Sequence, residues 1–175
     1  MRRCLVLAVL VTMSAPALAL DMPARKPGLW ELKMDFEGHK LPATVMKQCT
    51  DATSDKVMNS NFGGAAQDCS KQEVTKSATG MIVDSVCKFG DSTTTSHAVI
   101  TGSFDSEYTV NVSSTREDGR AIPGMPATGA TKMNIQAKWL GPCAAGQRPG
   151  DVIMANGMTM NVLDMPKMPG APKRF

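Results

Sequence analysis

The stretch Gly28-Leu29-Trp30-Glu31-Leu32-Lys33-Met34-Asp35-Phe36-Glu37 alternates apolar and charged side chains along its length. Side chains two apart share one face of a strand. Trp30, Leu32, Met34 and Phe36 therefore fall on one side, and Glu31, Lys33, Asp35 and Glu37 on the other. One apolar face and one charged face is the signature of an antiparallel strand that covers a core on one side and meets water on the other.

The same period recurs downstream. Glu107–Thr115 sets Tyr108, Val110 and Val112 against Thr109, Asn111 and Ser113, and Thr131–Leu140 sets Met133, Ile135, Ala137 and Trp139 against Lys132, Asn134, Gln136 and Lys138. Strands are also expected over Leu41–Cys49, Cys69–Ser77, Met81–Phe89 and Ser92–Phe104, with Met81, Val83, Cys87 and Phe89 on one face of the fourth. Turns fall at Gly38-His39-Lys40 and Ala78-Thr79-Gly80, and loops at Asn61–Asp68, which holds Gly63-Gly64, and Glu117–Gly129. A short helix over Thr50–Ser60, capped by Thr50 or Asp51, interrupts the series. The fold class is mainly β: a single antiparallel meander of about seven strands, with one short helix after the second. Short links favour sequential neighbours and strands twist, so the meander curls into a barrel or a half-barrel. If the first and last strands meet, Trp30 and Trp139 are expected to pack ring on ring.

The N-terminus reads as a cleaved signal peptide. Arg2 and Arg3 precede an apolar run, Leu5–Val11, followed by Pro16 and then Ala17-Leu18-Ala19. Cleavage is expected after Ala19, and the location is periplasmic. The run is shorter than the about 20 residues a membrane-spanning helix needs. Residues 1–19 are thus signal, 20–150 a disulfide-bonded β domain, and 151–175 a methionine- and proline-rich tail, with a strand or short helix near Val152–Leu163. Removing Arg2 and Arg3 brings the formal charge of +3 close to neutrality, and the remaining basic residues are scattered among acids and hydroxyls. That excludes a basic nucleic-acid face. The expected state is a monomer with no membrane span after cleavage.

With Cys4 discarded in the signal, Cys49, Cys69, Cys87 and Cys143 remain. An even count in an exported chain reads as two disulfides. Of three pairings, Cys49–Cys69 with Cys87–Cys143 is favoured, since the first closes a short polar excursion and the second ties a middle strand to the end of the last. A zinc site is disfavoured by the absence of CxxC spacing and of a nearby histidine.

Several of these residues together resemble a known family. Arg25-Lys26-Pro27-Gly28-Leu29-Trp30-Glu31 opens the domain. Lys47-Gln48-Cys49-Thr50, Asp68-Cys69, Cys87 and Trp139-Leu140-Gly141-Pro142-Cys143 follow in order. This pattern resembles the proteobacterial periplasmic proteins grouped as domain of unknown function 3617. The resemblance covers Arg25 to Cys143 and implies location, a β fold and the cysteine frame, and no chemistry.

Catalytic signals are weak. His39 falls in a turn and His97 on a hydroxyl-rich strand, and no motif places a nucleophile or a base beside either. Neither a GxSxG elbow nor an HExxH pair occurs. The expectation is a non-enzyme without a resident cofactor. Methionine is the unusual excess: fourteen in the chain, with Met154, Met158, Met160, Met165 and Met168 crowded near the end. Thioethers are soft ligands that select Cu(I), which makes the tail a candidate metal site; the competing role is filling gaps in a core poor in aromatics. A second candidate is a binding module for an apolar small molecule or lipid on the concave sheet face, its ligand touching Trp30, Met34, Tyr108 and Trp139. A third is a structural or protein-interaction role in the cell envelope. Leu32, Val110 and Ile135 join the four ligand candidates as inward-facing core residues.

Overall fold

The computed structural model describes residues 22–38, 42–62, 68–89, 92–117 and 129–165. The signal segment, Cys4, His39, the Gly63-Gly64 loop, most of the loop after Glu117, Met168 and the end of the tail lie outside them.

Among the described residues, nine strands form one sheet: β1 (Gly28–Phe36), β2 (Thr44–Thr50), β3 (Asp68–Ser77), β4 (Gly80–Phe89), β5 (Ser92–Ser103), β6 (Glu107–Glu117), β7 (Gly129–Gly141), β8 (Asp151–Ile153) and β9 (Thr159–Asn161). The helix, α1 (Ala52–Phe62), follows β2. The strand order is β3-β4-β5-β6-β7-β1-β2-β8-β9, with every pair antiparallel.

The first seven strands stand near their expected positions, and two more appear within 151–161. Strand β8 pairs with β2, setting Gln48 opposite Val152 and Lys47 opposite Ile153, and β9 folds back on β8. Asn161 braces this hairpin: its side-chain amide donates to Pro149 O at 3.0 Å and to Asp151 Oδ1 at 2.8 Å, and its carbonyl oxygen accepts from Leu163 N.

Closure into a barrel would require the two edge strands, β3 and β9, to pair. They do not: β8 takes the side of β2 away from β1, and β3 pairs only with β4. The sheet is open, a half-barrel at most. Strand β1 meets β7 with Trp30 opposite Trp139. Each ring, however, has another partner: Trp30 lies 5.6 Å from Tyr108, and the Lys26 ammonium sits 3.8 Å over Trp139.

The disulfides are Cys49–Cys143 and Cys69–Cys87, not the favoured Cys49–Cys69 and Cys87–Cys143. The register explains the correction. Cys69 and Cys87 face each other across the β3–β4 hairpin. Leu29 on β1 pairs with Cys49 on one side and Gly141 on the other, so Cys143 arrives near Cys49 just past the end of β7.

Asp51 caps the start of helix α1. Its carboxylate accepts from Ser54 N at 2.8 Å while Ser54 Oγ accepts from Asp51 N at 2.9 Å, a reciprocal cap that satisfies otherwise orphaned donors. These bonds hold the Asp51 carboxyl below its ordinary value, the Ser54 backbone N–H contributing most. Gly28 is required where β1 starts: its φ is +135°, and a Cβ there would collide with Gly141 O and come within 2.6 Å of Trp139 Nε1.

Candidate functional site

Residues paired across a ladder share a face, so the register assigns every side chain to one side of the sheet. One face, called inner here, carries Trp30, Leu32, Met34 and Phe36 of β1. Beside them stand Trp139, Ala137, Ile135 and Met133 of β7, and beside those Tyr108, Val110 and Val112 of β6. Ile100 and Ala98 of β5 and Met81 and Val83 of β4 continue the same rows. The ligand candidates Trp30, Met34, Tyr108 and Trp139 thus lie on one face, together with Leu32, Val110 and Ile135.

The two ends of this face differ. At the first end, Arg25 covers Trp30. Its backbone N–H donates to Asp55 Oδ2 at 2.9 Å, Nε to Asp55 Oδ1 at 2.6 Å, Nη1 to Gln48 Oε1 at 2.9 Å and Nη2 to Met58 Sδ at 3.4 Å. The guanidinium carbon is 5.8 Å from the Trp30 ring centre. Arg25, Asp55, Gln48, Met58 and Trp30 are all buried. This is a clamp that fastens α1 to the sheet, and its charge is answered from within. Burial pushes the neighbouring Tyr108 phenol up, an effect the Arg25 charge opposes. Trp30, fully buried beneath the clamp, offers no surface to a ligand, whereas Met34, Tyr108 and Trp139 are half-buried.

At the other end the apolar rows give way to hydroxyls. Ser85, Ser96, Ser114 and Thr131 form one cross-strand row, and Cys87, Thr94 and Arg116 the next. Arg116 Nε donates to Ser92 Oγ at 2.8 Å, and Ser92 Oγ donates to Glu117 O at 3.2 Å. Among the described residues no carboxylate forms an ion pair with Arg116. Between the two ends, Leu32, Met34, Phe36, Val110, Val112, Met133 and Ile135 are only half-buried.

The outer face carries the charged partners and one row with chemical content. Asp84, His97 and Ser113 are consecutive cross-strand partners, and Asp84 Oδ1 lies 2.7 Å from His97 Nδ1. No hydrogen bond joins Ser113 to the ring among the described residues. Both members of the Asp84–His97 pair are solvent-accessible, and the strand N–H groups around them belong to the ladders. The row reads as a solvated cross-strand pair.

Among the described residues no three His, Cys, Asp or Glu side chains converge as a metal site. Of the tail methionines, Met154 and Met158 flank the β8–β9 turn, Met160 lies on β9, and Met165 is exposed beyond it. The sequence reading missed Arg25, Asp55, Arg116 and Met46, whose significance depends on pairings between distant segments.

A family model described as protein of unknown function, DUF3617, matches residues 25–143. The chain belongs to this family. No curated protein and no solved structure matches it. The DUF3617 match opens at Arg25, the centre of the helix clamp, and ends at Cys143, the partner of Cys49. The β8–β9 hairpin lies beyond the DUF3617 match but pairs with it through β2. Among the described residues, no helix of this DUF3617 protein is long and apolar enough to cross a membrane.

Proposed function

We propose that the protein is an exported, non-catalytic binding module whose inner sheet face holds a single-chain amphiphile with an anionic head. The observation that carries this reading is the gradient along that face, from half-buried apolar side chains to a hydroxyl row and Arg116. From Leu32 to Phe36 the strand runs about 14 Å. One acyl chain fills a comparable length, half of the roughly 30 Å hydrocarbon core of a bilayer. A guanidinium matches a carboxylate in geometry and in charge. Arg25, already neutralised by Asp55, does not compete for that role. Two disulfides suit an oxidising compartment, and Arg2, Arg3, the apolar run and Ala17-Leu18-Ala19 supply the export signal.

The test is a titration of the oxidised protein with a fluorescent long-chain fatty acid, competed by the unlabelled acid and by the matching fatty alcohol. Saturable binding is expected, with the acid displacing the probe at about tenfold lower concentration than the alcohol. Arg116→Gln is expected to remove that difference and leave the alcohol unchanged. Equal displacement by acid and alcohol in the native protein would discard the anionic head and keep an apolar ligand. No saturable binding of either would overturn the reading in favour of a protein-interaction role in the envelope.

A further inference from the structure

The β2–β8–β9 end of the sheet gathers methionines from distant parts of the chain. In β8–β9, Val152 pairs with Met160 and Ile153 with Thr159, and Met154 N donates to Met158 O at 2.9 Å. Met154 and Met158 therefore face each other across the turn, on the same side as Val152 and Met160. The turn is well defined: Gly157 has φ +82°, its N–H donates to Met154 O, and Met158 N donates to Asn156 Oδ1. On the other flank Gln48 pairs with Val152 and Lys47 with Ile153. Met46, opposite Leu32 on the inner face, is the β2 residue next after Lys47, where that ladder ends; one further step of the same register would bring it beside Met154.

We propose that Met46, Met154, Met158 and Met160 form a Cu(I) site. Neighbouring strands lie about 4.8 Å apart, so Met46 and Met158 flank Met154 within reach of long side chains. Met160, one diagonal away, is also within that reach. Thioethers are neutral, soft donors suited to a monovalent soft cation, and the four cysteines near the sheet are tied up in disulfides. Core filling does not explain Met158, which is 57% exposed, so its side chain closes no internal gap. Met46 adjoins Leu32 at the margin of the apolar field, but the metal site uses neither that field nor Arg116 and stands whether or not a lipid binds there.

The test is anaerobic competition for Cu(I) between the disulfide-intact protein and a chromophoric Cu(I) chelator. One equivalent of Cu(I) is expected to bind more tightly than about 1 µM. Met46→Leu and Met158→Leu, which conserve side-chain size, are each expected to weaken it by about tenfold or more, while Met165→Leu does not. A variant-free measurement accompanies this one: Ag(I), a stand-in for Cu(I), should shift the ε-methyl resonances of these four methionines and leave Met133 in place. Affinity no tighter than micromolar would overturn the proposal. So would a full-affinity Met46→Leu variant, or Ag(I) shifts confined to Met165 and Met168.

Discussion

Asp55 lies fully buried with both carboxylate oxygens on Arg25, and the pair spans thirty residues of sequence. Breaking such a pair by removing one partner strands a buried charge, so Asp55→Ala is expected to destabilise the fold by about 3–5 kcal/mol in denaturant unfolding. Replacing both partners with apolar residues of similar size, as in Arg25→Met with Asp55→Leu, should recover most of that loss. A single variant as stable as the native protein would show that the clamp contributes little. Nothing local in the sequence marks their pairing: Arg25 enters only as the first residue of the family pattern, and Asp55 reads as an acid in the first turn of a helix. Trp30, in contrast, was legible as inward-facing from alternation alone. Its complete burial was not, because the cover comes from Arg25 and α1.

At the scale of elements, strands β1, β6 and β7 were legible because each alternates over its whole length, with one face apolar and the other solvated. For β8 and β9, three residues each, the sequence offered only a strand or short helix near Val152–Leu163, since a period cannot show over so short a run among prolines, glycines and methionines. Pairing is a further step beyond period. The favoured disulfide connectivity assumed that Cys49 and Cys69, close in sequence, are close in space. In the sheet, β2 and β3 stand far apart with β1, β7, β6, β5 and β4 between them, and each cysteine meets the one its ladder delivers. Peptide mapping without reductant is expected to recover Cys49–Cys143 and Cys69–Cys87 linked peptides and no others. On loop-entropy grounds, loss of the bridge that closes 94 residues should cost more than loss of the one that closes 18. The expected costs are about 4.7 and 3 kcal/mol. Equal costs would point to strain or residual denatured-state structure rather than loop length.

Across the whole molecule, the decisive feature is that the sheet does not close. Among the described residues, the nine-stranded sheet has more apolar face than the one eleven-residue helix covers. The helix and its Arg25 clamp bury the Trp30 end, and the middle of the face stays half-exposed. Sequence alone left a closed barrel and an open curved sheet as alternatives, since alternation fixes faces but not which edges meet. It also gave no view of Arg116 at the polar end, because that role appears only when β4, β5 and β6 are laid side by side. Contiguous apolar surface on a folded protein commonly marks a binding site.

The most direct test of that account is native mass spectrometry of the protein isolated from cells without reductant or detergent. The account predicts a noncovalent adduct of lipid-like mass that leaves on denaturation, identified as a single-chain anionic amphiphile and reduced in Arg116→Gln. A protein that arrives clean, with both disulfides intact and no adduct in either form, would contradict it.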